Sequence, residues 1–551
     1  MKSKLPIAVA AIALIASAPT ALRAQANGTI HGTAFDSSGA VVPDASITAT
    51  NVNTNLIRRV VADSVGQYVI PLLPVGEYSV RVESQGFAPF LQTGIRLQVS
   101  TDMEVNARLE LKAATEQVTV RENTTLVQTT TSALVQVVDE RRISDLPLNG
   151  RNVLQLMALN SGISDRGAAG GTIQTNTFGN GQFQVAASIN GSRGNGTNYL
   201  LDNADNNDGF TNVAEAYPNP DAIQEFSIQS SSFDAQYGRG VGGVVNVVTR
   251  SGTNQFHGTA FEFLRNNKLN AGNFFTGKDA LKRNQFGVTA GGPVLIPKLY
   301  NGKDRTFIFG SYQGTRSRIA TPGVLRTAPS EAMKQGDLSS FLRPDGTGAI
   351  HDPNAPAQYF PGNRIPVSRF DPVSAKLLSY IPSSADPNYQ LRFGTPTQII
   401  DDDQMTLRFD HSFSDRQRLS TRYFLTTYNR PWSFIPSNLL LVNAGQYGHA
   451  QNLTVSHNYA RSRFLNDFSF TFHGSTPTAA PPADLNISFE TLGARVKTVP
   501  GFPTMDVGIS NWSGIGLGLG YYNGQRTYQF AENIAYVTGR QNLRFGVDYR
   551  N

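Results

Sequence analysis

Apolar and polar residues alternate with a period of two along the second half of the chain. From about residue 256 onward the alternation recurs in about ten stretches, each near the ten residues typical of a membrane-crossing strand. One face of each stretch is apolar and rich in aromatic residues, and the other face carries charge. Clear examples are residues 405–410, 464–472 and 543–550. The pattern predicts antiparallel strands, either in a soluble sheet with a solvated charged face or in a membrane barrel with a polar interior.

Shorter apolar runs precede this region and are separated by turn residues. Between residues 28 and 111, runs such as 46–50 and 68–70 lie between turns at 36–39, 64–66 and 74–76, and the runs 78–82 and 95–99 follow, which predicts a small β-sandwich. Residues 133–250 are rich in Gly and Asn, contain a helix start near residue 143, and predict a mixed α/β unit. The Thr-rich residues 112–132 predict a flexible linker, although residues 118–120 could instead form a last strand of the sandwich.

The N-terminus has the features of an export signal. Lys2 and Lys4 precede an apolar run over residues 5–18, and the small residues Ala24 and Ala26 stand where a signal peptidase would cut. An apolar run of about 14 residues is too short for a transmembrane helix, which needs roughly 20. We therefore predict a secretory signal peptide over residues 1–26. No later stretch is long enough for such a helix either, so residence in a membrane would require a β-barrel.

Composition excludes several functional classes. The 551 residues include no cysteine, which excludes disulfides, iron–sulfur clusters, thiolate zinc sites and a cysteine nucleophile. The 47 Lys and Arg residues exceed the 41 Asp and Glu residues only slightly, and the excess is spread along the chain, so we predict no nucleic-acid partner. The seven histidines form no His-Glu-x-x-His helix, and no Gly-x-Ser-x-Gly elbow occurs. We predict no enzymatic activity, no catalytic residue, no metal site and no cofactor.

Two groups of motifs resemble known families. Gly-x-Ala-Phe-Asp-x-Ser-Gly-Ala-Val-Val-Pro-Asp-Ala at residues 32–45 and Leu-Pro-x-Gly-x-Tyr at residues 73–78 resemble the carboxypeptidase regulatory-like domain, which implies a sandwich fold and no peptidase activity. Gly-Gly-Val-Val-Asn-Val-Val-Thr-Arg-Ser-Gly-Thr-Asn-x-Phe-His-Gly at residues 242–258 resembles the end of the plug domain of TonB-dependent outer-membrane transporters. The chain especially resembles the Oar-like subfamily, which carries an N-terminal regulatory-like sandwich. Asn203 departs from that family, which usually has Leu-Asp-Gly at this point.

The transporter resemblance implies positions for two functional segments. A TonB box must be extended, so that it can add as a strand to the periplasmic energy-transducing protein of the TonB type. The weakly hydrophobic alternation that precedes the plug stands where the family places this box, and it consists of Glu116, Gln117, Val118, Thr119 and Val120. Loops at the apex of the plug are where an extracellular ligand is expected to bind. The ligand-binding candidates in these loops are Asn190, Arg193, Asn198 and Asp202.

These motifs divide the chain into five predicted parts. They are a signal peptide at 1–26, a regulatory-like β-sandwich at 27–111, a linker with the box at 112–132, a plug at 133–252, and an incomplete outer-membrane β-barrel at 253–551. The Pro-rich residues 317–403 are predicted to be a long extracellular loop, because outer-membrane barrels have short periplasmic turns and long outer loops. A plugged transporter barrel has about 22 strands. Because the chain supplies fewer than half of these and ends within an alternating run, we expect a truncated barrel.

The sequence thus predicts a mainly β protein with an N-terminal β-sandwich, an α/β plug domain and part of a transmembrane antiparallel β-barrel. We expect it in the outer membrane of a Gram-negative cell, in contact with lipid. The predicted function is TonB-dependent uptake of an extracellular ligand, which could be a glycan, a peptide or a metal chelate. The alternative is a cell-surface adhesion or carbohydrate-binding protein that transports nothing.

Overall fold

The structure is a computed structural model of the chain. It describes residues 27–112, 118–121, 133–165, 187–209, 211–233, 235–272, 274–275, 277–320, 324–435, 438–443, 445–461, 463–479, 487–497, 506–507, 515–516, 521–522, 524–538 and 541–551. The predicted signal peptide lies outside these residues. The confirmed fold class is mainly β, with a sandwich, a plug and a large antiparallel sheet that forms part of a barrel.

Two sheets packed face to face form the sandwich. The first has the strand order β4-β1-β7, with β8 also paired to β1, and the second has the order β3-β2-β5-β6-β9. Inward side chains alternate with outward polar ones, so that Tyr78, Val80 and Val82 on one strand are all 0% exposed. Strands β1 to β9 are Asn27–Asp36, Ser46–Asn51, Ile57–Val61, Gln67–Pro74, Gly76–Glu83, Phe90–Leu97, Asp102–Glu104, Ala107–Leu109 and Val118–Arg121.

The plug is a small mixed sheet with short helices. Its strand order is β10-β15-β16-β13-β14, and β11 pairs separately with β12. Helix α1, Glu140–Asp145, begins after Asp139, whose side chain accepts a hydrogen bond from the backbone N–H of Arg142. Two 3₁₀ helices follow, Val153–Leu159 and Pro220–Ala222. Strands β10 to β16 are Val135–Val138, Ile163–Asp165, Ala187–Ile189, Thr197–Leu201, Ala204–Asp205, Ile223–Gln229 and Gly243–Thr249.

The central plug strands are buried on both faces. All five residues of β13 and all seven residues of β16 are buried. This explains why β16 reads as a nearly continuous β-branched run, because both of its faces avoid water. The plug core also receives Phe424 from the barrel wall, which is 2% exposed.

Long antiparallel strands form a wall along the plug. They pair in the order β17-β18-β21-β26-β27-β30-β31-β36-β37. These strands are β17 His257–Asn266, β18 Lys282–Pro293, β21 Thr306–Ile319, β26 Gln398–Ser414, β27 Gln417–Arg430, β30 Gln446–Arg461, β31 Phe464–Ser475, β36 Gln525–Thr538 and β37 Gln541–Arg550. The shorter strands between them are β19 Leu295–Ile296, β20 Tyr300–Asn301, β22 Val324–Thr327, β23 His351–Asp352, β24 Ala355–Tyr359, β25 Gln390–Phe393, β28 Ser433–Ile435, β29 Asn438–Asn443, β32 Thr478–Ala479, β33 Asp506–Val507, β34 Ile515–Gly516 and β35 Tyr521–Tyr522.

Exposure along the barrel strands is reversed from that of a soluble sheet. Gln529 on β36 is 2% exposed, whereas its neighbour Phe530 is 42% exposed. Thr406 on β26 is likewise 0% exposed, while Leu407 is 45% exposed. The polar face therefore packs against the plug and the apolar face points outward, as expected for a wall that meets lipid. Periodicity alone could not separate this arrangement from a soluble sheet.

The two ends of the barrel differ in the length of their connections. Strand β26 passes to β27 through a tight turn at Asp415, and the turn that contains Asp304 precedes β21. At the other end, residues 320–397 connect β21 to β26. This connection is shorter at both ends than the predicted 317–403, because the two strands extend further and pair up to Ile319 and Gln398. Outer-membrane barrels have short periplasmic turns and long outer loops, and on that basis the extracellular position of the long connection stays a prediction.

The outer connections fold into a unit with an apolar core. Ala328, Ile381, Leu439 and Leu492 are among its buried members, and they come from three different connections. Its helices are α2 Glu331–Lys334, α3 Pro372–Leu378 and α4 Phe489–Leu492, and the 3₁₀ helices on this side are Asn267–Leu269, Ser339–Phe341, Pro361–Asn363 and Val367–Arg369. Within the described part of the chain, no helix has the length and apolar content needed to span a membrane.

Candidate functional site at the plug and barrel wall

Asp202 links the plug to the barrel wall. It follows β13 in a tight turn, where Asp202 and Asn203 adopt left-handed backbone angles of φ 51° and 64°. Its carboxylate accepts hydrogen bonds from the backbone N–H of Thr249 and the Thr249 hydroxyl, both at 2.9 Å. Arg422 on β27 donates to the same carboxylate from Nε at 2.8 Å. The side chain of Asp202 is 9% exposed, so this charge is held by partners and not by water.

A line of alternating charges continues from Asp202 along the inner wall. Arg408 lies 3.6 Å from the Asp202 carboxylate and donates to the backbone carbonyl of Thr249 at 2.7 Å. It also pairs with Asp410 at 2.9 Å, and Arg418 pairs with the other oxygen of Asp410 at 3.0 Å. All of these side chains are less than 10% exposed. Removal of Asp202 would take away the carboxylate that pairs with Arg422, and removal of Asp410 would take away the carboxylate that pairs with Arg418, so that in either case a buried arginine would lose its compensation.

A second polar cluster lies nearer the outer end of the plug. Asp205 pairs with Arg239 of the plug and with Arg550 of β37, each at 3.0 Å. The backbone N–H of Asp205 donates to Gln529 Oε1 at 2.9 Å. Plug and wall are therefore joined at two heights by ion pairs and hydrogen bonds.

A further contact at the outer end involves Gln525 on β36. Its amide nitrogen donates to Asp208 at 2.9 Å and to Glu215 at 2.8 Å, and its amide oxygen accepts from the backbone N–H of Gly209 at 2.8 Å. Despite these acidic residues, the described residues contain no group of three or more His, Asp or Glu placed to hold a metal ion. These contacts hold the outer end of the plug against the barrel wall.

The structure places the four ligand-binding candidates in two environments. Asn190 and Arg193 are exposed in the loop after β12. Asn198 is 1% exposed, donates to the carbonyl of Gly238 at 3.0 Å, and belongs to the plug interior. Asp202 is 7% exposed and makes the wall contacts described above. The structure therefore does not bring the four side chains together on one surface, and their role in ligand binding stays a prediction.

The predicted box segment is only partly described. Glu116 and Gln117 lie outside the described residues. Val118, Thr119 and Val120 belong to β9, which pairs in parallel with β6 so that Phe90 faces Val118. This segment is thus the edge strand of a sandwich sheet, which was the alternative that the sequence left open. Its role as a TonB box stays a prediction.

Sequence reasoning missed the arginines of the barrel wall. Arg408 and Arg422 lie on the polar face of alternating strands, so the period-two pattern gave their orientation. A signal was present in the four charged residues 408, 410, 418 and 422, which all occupy that inward face. What they contact could not be read from the pattern, because Asp202 is separated from Arg422 by 220 positions.

Comparisons with known proteins agree with this architecture. A family model described as an outer membrane beta barrel domain matches residues 248–551, and one described as a carboxypeptidase regulatory-like domain matches residues 29–110. The TonB-dependent transporter Oar of Myxococcus xanthus is 30% identical over 311 residues, which cover 53% of this chain and 28% of that protein. The chain thus spans less than a third of the length of this relative.

Solved structures show a weaker similarity. The siderophore receptor PirA of Acinetobacter baumannii aligns with a TM-score of 0.41 and 13% identity, over 77% of this chain and 48% of the receptor. The outer membrane transporter YddB of Escherichia coli aligns with a TM-score of 0.43 and 12% identity, over 76% of this chain and 48% of that protein. Because the family model of the outer membrane beta barrel domain alone matches more than half of the residues, the chain belongs to that family, is located in the outer membrane, and carries a carboxypeptidase regulatory-like domain.

Proposed function

We propose that this protein takes up an extracellular ligand across the outer membrane, with energy supplied by a TonB-type protein of the inner membrane. The observation that carries the proposal is a plug held within a barrel wall by polar contacts, at Asp202 and at Asp205. Such contacts would keep the barrel closed by the plug at rest, and a force applied to the plug would move it. The relation to the transporter Oar supports the same proposal.

Energy coupling is proposed to act through residues 116–120. The segment would leave its present pairing and add as a strand to the periplasmic domain of the energy-transducing protein, a contact made mainly by main-chain hydrogen bonds. The test is deletion of residues 116–120 in the full-length protein, with deletion of residues 125–129 in the same linker as the matched control. Capture of the purified periplasmic domain by outer membranes should fall to background for the first deletion only. Equal capture by both variants would contradict the box assignment.

Ligand recognition is proposed to involve the loops at the outer end of the plug. Asn190 and Arg193 supply exposed polar groups, while Asn198 and Asp202 would position those loops from within. The ligand would be a glycan, a peptide or a metal chelate. In a binding screen against these three classes with full-length protein in detergent, Arg193→Ala should weaken any hit, and Asp145→Ala, an exposed plug substitution, should not. Unchanged affinity in Arg193→Ala would remove this residue from the site.

One observation favours a second candidate function. The long connections have an apolar core of their own, which includes Leu439 and Leu492. If they lie outside the cell as proposed, they present a folded surface there. An adhesion or carbohydrate-binding protein would use that surface and would need no periplasmic partner. Ligand binding with no capture of the periplasmic domain, by the unmodified protein, would favour this function.

A further inference from the structure

The sandwich contacts the periplasmic end of the barrel through the hairpin of β2 and β3. The carbonyl of Asn53 accepts a hydrogen bond from the backbone N–H of Asn254, at the junction of plug and barrel, at 2.9 Å. The amide of Asn55 donates to the carboxylate of Asp304 at 2.8 Å. Asp304 also accepts from the side chain of Asn254 at 2.6 Å. The hairpin tip therefore closes a small polar network with the plug exit and a periplasmic turn.

A second contact joins the same edge of the sandwich to the next periplasmic turn. Arg59 pairs with the carboxylate of Asp415 at 2.7 Å, and both side chains are more than half exposed. Arg58, which is 5% exposed, donates to the backbone carbonyl of Asp415. Exposed ion pairs of this kind are individually weak and reversible.

The third contact is between the sandwich and the underside of the plug. The backbone N–H of Val99 donates to the carboxylate of Glu225 on β15. Val99 packs against Val248 of β16, and the two side chains are 0% and 2% exposed. Beside them, the hydroxyl of Ser227 donates to that of Ser100 at 3.4 Å. The sandwich thus buries part of the plug sheet that would otherwise face the periplasm.

We propose that the sandwich is a releasable clamp, which covers the plug from the periplasm and must detach before the plug can open. The reason is geometric. The sandwich bonds both to the plug, at Glu225, and to barrel turns, at Asp304 and Asp415, so the plug sheet cannot shift against the wall while all three contacts hold. The inference rests on the proposed uptake function, and it adds a step in which the sandwich is released with energy from the TonB-type protein.

Docking is tested first by crosslinking, for which the absence of cysteine from these 551 residues is an advantage. In the variant Asn55→Cys/Asp304→Cys of the full-length protein, a short bismaleimide in isolated outer membranes should join the two positions. The matched control, Asn55→Cys/Asp345→Cys, places the second thiol on an outer connection and should give no crosslink. Equal yields in the two variants would overturn the docked arrangement without bearing on uptake.

Release is then tested by the reaction of single cysteines with N-ethylmaleimide in intact cells. Ser227→Cys lies under the sandwich, where the residue is 0% exposed, so its labelling reports detachment. We expect labelling about tenfold faster in energised cells than in cells treated with a protonophore, since the rate follows the population of the open form. Ser188→Cys, which replaces a plug residue that is also 0% exposed, should stay protected under both conditions.

The outcomes separate the clamp from the transport function. Energy-dependent labelling of Ser227→Cys alone supports release of the sandwich. Equal acceleration at Ser188→Cys would mean that the whole plug unfolds, and it would overturn the clamp. Labelling that does not respond to energy, in cells where the box-dependent capture is intact, would make the sandwich a fixed part of the protein and would also overturn the proposal.

Discussion

Replacement of Asp202 by alanine should loosen the plug from the barrel wall. The substitution removes a carboxylate that pairs with Arg422 at 2.8 Å and lies 3.6 Å from Arg408. Their side chains are 3% and 5% exposed, so the positive charge of Arg422 loses its compensation in a site that water does not reach. Breaking one side of a buried ion pair costs about 3 to 5 kcal/mol. Local opening of the plug sheet should therefore become about 10² to 5 × 10³ times more frequent.

The assay is hydrogen exchange of the full-length protein in outer-membrane vesicles, read by mass spectrometry on a peptide that covers β16. The backbone N–H of Thr249 is left out of the comparison, because it loses its acceptor directly when Asp202 is replaced. Asp145→Ala is the matched control, since it removes a plug carboxylate whose side chain is 64% exposed. Asp202→Asn should fall between the two, because it keeps an acceptor but loses the charge. Exchange in Asp202→Ala within threefold of the Asp145→Ala control would refute the reasoning.

Three further predictions concern the sandwich, its joint with the plug and the outer connections. Burial raises the pKa of Glu225 to about 7 against an ordinary 4.5, so the docked sandwich binds the proton more tightly and docking weakens by up to about 3 kcal/mol as the pH rises from about 4.5 to about 7. The protection of Ser227→Cys against N-ethylmaleimide, normalised to the labelling rate of denatured protein at each pH, should fall over this range, and Glu225→Gln should abolish the pH dependence. Gly32→Ala would place a Cβ 1.8 Å from the carbonyl oxygen of Val105, so the free energy of unfolding of a fragment of residues 27–112, measured in urea, should fall by about 1 to 3 kcal/mol. An unchanged urea midpoint would contradict the close approach. Leu439→Ala opens a cavity at a side chain that is 1% exposed, and it should destabilise the outer unit by about 2 to 5 kcal/mol. Cleavage of this unit by trypsin on whole cells should therefore be faster in this variant, whereas Leu342→Ala, at an exposed side chain, should be cleaved at the rate of the unmodified protein.

The sequence was informative wherever a property is local to the backbone. Alternation with a period of two predicted the barrel strands and the orientation of each residue, because successive side chains of a strand point to opposite faces whatever the strand contacts. The same reasoning predicted a sandwich. Family motifs then added the order of sandwich, plug and barrel.

Contacts between distant segments were outside the reach of that reasoning. Asp202 was a candidate for ligand binding because it lies in a polar loop, but the fold brings it to Arg422 from 220 positions away and buries both. The sequence of residues 118–120 was equally compatible with an extended linker and with a strand of the sandwich. Their pairing with β6 depends on a free sheet edge that only the folded sandwich provides.

The sequence by itself therefore determined the long alternating strands and which face of each is polar. The tertiary structure decided whether a polar face meets water, a plug or another domain. The physical reason is that periodicity follows from the geometry of one chain segment, whereas the environment of a charge depends on which segments pack around it. The buried charges of the barrel wall and the contact of Val99 with Glu225 belong to the second class.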